Sequence, residues 1–445
     1  MVRQIHLGAV PYGTGGPGGH TLWLDPEIPV DASVDIHWFV EMAQLAEQGL
    51  FDLMFIVDSQ FITPWSPPHY LNRLEPLTLL SALATHTTHL GLVGTATTSF
   101  NSPFNLVRRL ASLDLISDGR AGWNVVTTGD AGTAGNYGRD DHYDYDTRYG
   151  RAREYVELAR ALWDSYEDDA FVRDRETGVF LDRSKQHALN WDGEFFKVAG
   201  PLNIERSAQG QPVVFQAGDS DLGRDLGASV GEGIFTHAAD IPSGQAFYND
   251  IKSRAERRFG RDPDHVLILP GVKVVVGDTD AEAREIEAVN KDRDHTFTAA
   301  LGEFGRPFGW HDFTRYDLDA PFPVEALKYG ERSFYTQAKR ITDQAVENGW
   351  TLRQAVQSTR QFRPSEFVGS PETVAAKLIE WWDARACDGF NINIDHPANF
   401  ARIVRDVVPI LQDKGVFRRE YECTTLRGNL GLPIPANRHS TGCQA

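Results

Sequence analysis

The 445-residue chain carries 62 acidic and 44 basic side chains, a formal charge of −18, and is 41% hydrophobic. This is the make-up of a globular protein, and its acidity argues against a broad grip on nucleic acid or an anionic membrane. Three cysteines, Cys387, Cys423 and Cys443, are too few for a disulfide framework and match no zinc spacing. They point to a reducing, cytoplasmic setting. The start, MVRQIHLGAVPYG, has no apolar core of a signal peptide, and no stretch reaches the roughly 20 apolar residues of a membrane span.

Short apolar runs alternate with helical patterns along the chain. In order, strands are expected at Gln4–Val10, Phe51–Asp58, His89–Thr97, Gly122–Thr128, Pro212–Gly218, Gly233–His237, Val266–Val276 and Gly389–Asp395. Several are nearly continuous apolar segments, as strands buried on both faces are. Between the first two, Ser33 can cap a helix to about Gln48 that Gly49 stops. A second amphipathic helix is expected to start near Tyr149 and run to Asp164. Ser370–Pro371 opens another, with a cap followed by proline at the first helical position. Eight strands alternating with helices predict a (β/α)8 barrel, an α/β fold of a single domain over residues 1–445. Two stretches exceed the bare barrel, about 170–211 and 277–367, and a C-terminal arm covers about 416–445. The second insertion has an aromatic centre, in which Trp310, His311 and Tyr316 are candidate lid residues.

Catalytic groups of such barrels lie at the C-terminal ends of strands. Those ends here carry Asp58, Thr97, Asn124 and Thr128, then the turn AGDSDLG (217–223). This is a neutral, hydroxyl- and amide-rich lining suited to a hydrogen-bonding heteroaromatic ligand. Asp58 reads equally as a ligand contact, base or metal ligand, or as a helix or turn cap. In the turn, Gly218 and Ser220 precede a helical pattern, and free N–H groups there can hold a phosphate without any lysine. A plain strand-to-helix turn with Asp219 or Ser220 as cap explains it locally as well. Asp221 is expected to face solvent, offset by Arg224 one turn on. His20 sits in a glycine-rich first loop, where a histidine can move protons near neutrality, although most loop histidines are merely solvated. The run DDHYDYDTRYGR (140–151) could gather a metal, but its spacing is wrong for an EF-hand and an acidic helix start accounts for it.

Together FDLMFIVDS (51–59), GRAGWNVVTT (119–128), DTRYGRAREYVELARALWDS (146–165), QGQPVVFQAGDSDLG (209–223) and TLRGNLGL (425–432) resemble the flavin-dependent monooxygenases of the bacterial luciferase-like superfamily. Within it the chain is similar to the group of nitrilotriacetate and dibenzothiophene-sulfone monooxygenases and the pristinamycin synthase A component. The resemblance implies a two-component enzyme that takes reduced FMN from a separate NAD(P)H:flavin reductase. With O2, and through a C4a-peroxyflavin, it would oxygenate a small organic substrate containing sulfur or nitrogen. It also implies a homodimer or homotetramer. Residue by residue, it assigns Asp58, Thr97, Asn124, Tyr145, Tyr149, Gly218 and Ser220 to FMN, with Tyr149 and Ser220 near the phosphate, and His20 to the substrate side as the catalytic residue. Three positions depart from the family pattern: Tyr145 replaces a histidine, Asp219 replaces a small or hydroxylic residue, and Trp23-Leu24 replaces a tryptophan-arginine pair. The alternatives are a deazaflavin (F420)-dependent hydride-transfer oxidoreductase on the same barrel, a metal-dependent barrel hydrolase using Asp58 and His142, and a non-catalytic flavin-binding protein.

Overall fold

A computed structural model describes residues 3–15, 21–64, 66–294, 297–331, 333–359, 365–394 and 396–440. Eight parallel strands close into a barrel in sequential order: β1 (His6–Pro11), β2 (Leu53–Ile56), β3 (Gly91–Thr97), β4 (Ala121–Val126), β5 (Val213–Gln216), β6 (Gly233–Thr236), β7 (Leu267–Val272) and β8 (Gly389–Ile394). Closure is made by β1 against β8, with Gly8 opposite Asn391 and Val10 opposite Asn393. The strands form because their side chains are apolar on both faces. Val10, Leu53, Phe55, Val93, Val213, Phe215, Phe235, Leu267 and Leu269 fill the interior. Alternate residues, among them Leu7, Met54, Trp123 and Ile392, pack outward on the helices. Burial of this kind contributes about 25 cal/mol per Å² of apolar surface.

The helices that clad the barrel include α1 (Ile36–Gln48), α2 (Pro76–Leu83), α3 (Pro103–Ile116), α4 (Tyr145–Trp163), α5 (Asp221–Val230), α6 (Ile241–Phe259) and α7 (Pro371–Asp383). Ser370 caps α7 and Pro371 takes its first position, as the dipeptide indicates. Three expectations are corrected. Asp35, not Ser33, caps α1, its carboxylate accepting from the His37 amide; Ser33 lies buried in the preceding turn. Helix α4 starts at Tyr145 and not near Tyr149, because Asp144 accepts from the Thr147 amide a full turn earlier. The run Val266–Val276 is not one strand. It breaks at Lys273, and Val274–Val276 pairs with Phe367–Gly369 in a separate two-stranded sheet.

Between that small sheet's two strands, helix Asp280–Asp294 packs on the sheet, and the helices Phe297–Phe304, Tyr335–Asn348 and Leu352–Gln357 enclose their own core. It holds Leu301, Phe304, Phe308, Phe313, Phe322 and Leu352. The C-terminal residues are not simply an extended arm. Leu426, Leu430 and Leu432 enter the N-terminal end of the barrel and complete its interior. The strands make room for them with glycine: a Cβ on Gly91 would lie 2.3 Å from the Leu426 side chain. The plug is tied down by polar groups. Arg427 donates to Glu232 at 2.5 Å and to the Gln211 carbonyl at 3.1 Å, and Arg418 pairs with the buried Asp52. With this end closed, ligand access is left to the C-terminal mouth. Among the described residues no helix is long and apolar enough to cross a membrane.

Candidate active site

The turn from β5 into α5 carries the first half of the site. Ser220 is the cap of α5, its Oγ accepting from the Gly223 amide at 3.1 Å. Tyr149 and Tyr145 lie one turn apart on α4, so they share a face, and their rings are 5.0 Å apart. The Tyr149 hydroxyl is 3.3 Å from Ser220 Oγ, and the Tyr145 phenol lies close enough to feel both Ser220 and Tyr149. Burial pushes the Tyr145 phenol up to about 12, which keeps it a donor at neutral pH. Three hydroxyls and the first amides of α5 thus converge where a helix start favours an anion. Gly218 makes the turn tight: a Cβ there would lie 2.7 Å from Gly223 Cα.

The acids of this turn face away. Arg224 holds the Asp219 carboxylate at 2.7 Å and donates to its carbonyl at 3.0 Å, and it also pairs with Asp250 at 2.9 Å. Asp221 is paired with Arg254 at 2.7 Å. Asp221 faces solvent as expected, but the expectation that Arg224 offsets it is corrected: Arg224 answers Asp219 and Arg254 answers Asp221. A cation that the sequence reading did not pick out lies nearby. Arg148, buried on α4, sits 5.6 Å from the Tyr145 ring and donates to the Thr128 carbonyl at 2.6 Å.

The second half lies at the ends of β2 to β4. Thr95 and Thr97 share the inward parity of Val93, as Asn124 does on β4. Asn124 Nδ2 donates to Thr95 Oγ1 at 2.9 Å, while its Oδ1 is buried with no partner among the described residues. Thr97 Oγ1 meets Thr128 Oγ1 at 2.6 Å. Asp58 follows β2. Burial raises its pKa, against the opposing charge of Arg73, and Arg73 is itself anchored on the Val57 carbonyl at 3.2 Å.

The insertion between β7 and β8 contacts this mouth through Asp130, a buried carboxylate past β4. Asp130 accepts from Trp310 Nε1 at 3.0 Å, Arg306 Nη2 at 3.3 Å and Ser59 Oγ at 3.2 Å. Arg306 also reaches the Tyr70 hydroxyl at 2.5 Å. Phe334 lies on Gly129, where a Cβ would be 2.3 Å from its ring. Of the three lid candidates only Trp310 sits over the mouth. His311 stacks on Tyr329 at 4.2 Å and bonds Tyr316 at 3.0 Å, so both belong to the insertion's own packing.

The acidic run 140–151 is a helix start. His142 Nε2 donates to the Thr128 carbonyl at 2.9 Å, and burial drives its pKa down to about 4. Among the described residues, the cluster able to approach one metal is Asp25, Glu27 and His396, not Asp58 with His142. There His396 Nδ1 accepts from the Ala398 amide at 3.1 Å. His396 Nε2 lies 3.7 Å from an Asp25 carboxylate oxygen, beyond hydrogen-bond range. His20 lies outside the described residues. The residues that sequence reasoning passed over, Arg73, Asp130, Arg148 and Arg306, have no local pattern of their own; of these only Arg148 stands inside a quoted motif.

Comparison with known proteins fits this geometry. Residues 18–387 match the model of the luciferase-like monooxygenases. The N-acetyl-S-(2-succino)cysteine monooxygenase of Bacillus subtilis (strain 168) is 43% identical over 443 residues, covering 98% of this chain and 99% of that protein. Nitrilotriacetate monooxygenase component A of Aminobacter aminovorans is 38% identical, over 93% and 94% of the two chains. The crystal structure of a riboflavin lyase with modified FMN and riboflavin superposes with a TM-score of 0.85 at 29% identity, covering 98% and 97%. The chain belongs to the luciferase-like monooxygenase family.

Proposed function

We propose that this chain is the oxygenase component of a two-component flavin monooxygenase. It takes reduced FMN from a separate NAD(P)H:flavin reductase, uses O2, and oxygenates a small sulfur- or nitrogen-containing substrate. The observation that carries the reading is the convergence of Tyr145, Tyr149 and Ser220 hydroxyls on the helix start of α5. The donor set suits a phosphate monoester, and the unpartnered Asn124 Oδ1 can accept from a ring N–H deeper in the mouth. Thr97 and Asp58 would line the ring from β3 and β2. Reduced FMN, when bound, supplies the oxygen-activating chemistry. The chain's own task is to hold the ring, place the substrate and keep water out, and Trp310, Phe334 and Tyr70 form an apolar roof for that purpose. His20, in the loop after β1, is assigned to the substrate side.

The substrate class we favour carries carboxylates. Two relatives are named for polycarboxylate substrates. A homodimer or homotetramer is the proposed assembly. Binding of reduced FMN, titrated anaerobically, tests the reading. Ser220→Ala and Tyr149→Phe should each weaken it about three- to tenfold, the loss of one hydrogen bond; unchanged affinity in both overturns the phosphate assignment. His20→Ala should lower product yield more than flavin affinity. The F420 alternative predicts tighter binding of F420 than of FMN in the same titration.

A further inference from the structure

Thr128 has a backbone that its residue type disfavours. It lies two residues past β4 with φ +58°, the left-handed region, where a β-branched residue is an outlier. Such outliers persist only where the surroundings hold them, and here the restraints are specific. The Thr128 carbonyl accepts from two side chains, His142 Nε2 at 2.9 Å and Arg148 Nη1 at 2.6 Å. Its neighbours are zipped to the segment after β3: the Thr98 amide donates to the Val126 carbonyl at 3.0 Å, and Ser99 Oγ to the Thr127 carbonyl at 2.8 Å. The result delivers Thr128 Oγ1 to within 2.6 Å of Thr97 Oγ1, on the inward face at the barrel mouth.

The hydrogens of this pair do not all find acceptors among the described residues. Each threonine hydroxyl carries one hydrogen and can also accept. One of the two hydrogens lies in the bond between them. Thr97 Oγ1 additionally accepts from the Ser99 amide at 3.1 Å, which consumes no hydroxyl hydrogen. Whichever threonine donates to the other, one O–H is left over, and it has no acceptor among the described residues. We propose that the Thr97–Thr128 pair donates this hydrogen to a ring nitrogen or carbonyl oxygen of the heterocycle bound in the mouth. Thr97, already tied to the Ser99 amide, serves as the donor within the pair, so the free O–H is that of Thr128; Thr128 is then a binding residue, and His142 and Arg148 are the positioning residues that hold its backbone. The proposal rests on the FMN reading above and adds to it a residue and a hydrogen-bond direction.

Three substitutions in the full chain separate the hydroxyl from the strain. Thr128→Gly relieves the backbone and removes the hydroxyl, Thr128→Val removes the hydroxyl alone, and Thr128→Ser keeps it. Titrated with FMN, Gly and Val should bind about five- to tenfold more weakly than the unsubstituted chain, and Ser within about twofold, the range of one hydrogen bond. The Gly variant should melt at or above the unsubstituted temperature, so its weaker binding is not unfolding. The visible absorption band of bound FMN should shift in the Val variant and not in the Ser variant. Gly and Val binding as the unsubstituted chain does, or Ser binding as weakly as Val, overturns this proposal and leaves the FMN reading standing. An unsubstituted chain that binds FMN in neither redox state overturns both.

Discussion

Arg224 shows how one side chain makes a disfavoured residue harmless. Asp219 stands next to the proposed phosphate cradle, yet its carboxylate is turned onto Arg224 at 2.7 Å. Arg224→Ala should therefore weaken FMN binding several-fold by freeing a negative charge beside the phosphate, and Arg224→Ala with Asp219→Asn should recover it; a double variant as weak as the single one would remove the charge explanation. Asp114 illustrates the opposite balance. It accepts from the Ala121 amide, Gln209 and Ser207, but burial outweighs these donors and raises its pKa from 3.8 to about 6. A carboxyl that holds its proton longer when folded stabilises at low pH, and that support is lost as pH rises from about 4 to 6. The span is at most about 3 kcal/mol, from 1.36 kcal/mol per unit. Urea midpoints of the native chain and Asp114→Asn, compared from pH 4 to 7, should diverge across this window and run parallel above it.

Elements meet at the mouth through one carboxylate. Asp130 joins the loop after β4 to Arg306 and Trp310 of the insertion and to Ser59 after β2. Asp130→Ala leaves a guanidinium without its partner and an indole N–H without an acceptor, a loss of about 2–4 kcal/mol locally. Limited proteolysis should then cut within 300–334 well before the barrel is attacked; equal protection in both chains would mean that apolar packing alone seats the insertion. The elements themselves were largely legible. All eight barrel strands fall on the expected runs, with Pro11 and Ala121 each one residue outside them, because strands buried on both faces are written as apolar segments. Boundaries moved where a cap competed. Asp144 starts α4 at Tyr145, and this earlier start is what brings Tyr145 onto the same helical face as Tyr149. The run Val266–Val276 misled because two short strands separated by one residue carry the same apolar signal as one long strand.

At the scale of the molecule, the barrel is closed below by residues from the far end of the chain. Leu426 is fully buried against Gly91 and Gly122, so Leu426→Ala should cost about 2–5 kcal/mol. Thermal unfolding should show one transition displaced downward as a whole, since the plug and the barrel interior form a single core. A separate low-temperature transition would mean instead that the tail unfolds by itself. The plug also leaves the opposite end, where β-strand C-termini, the α5 helix start and the insertion converge, for the proposed site.

The sequence by itself determined the barrel, its strand order and the family, because alternating apolar runs and contiguous motifs are local properties of the chain. It also named the hydroxyls and amides at the strand ends. Only the tertiary structure decided which of them meet. That Tyr149 and Ser220 meet with Tyr145 beside them, that Arg224 disarms Asp219, and that His142 and Arg148 hold Thr128 in a left-handed conformation depends on contacts made in space, Tyr149 and Ser220 being 71 residues apart. Hydrogen-bond partners are chosen by distance in space, which spacing along the chain does not encode. Burial, which sets the direction of the Asp58, Tyr145 and His142 pKa shifts, likewise exists only once the mouth is assembled.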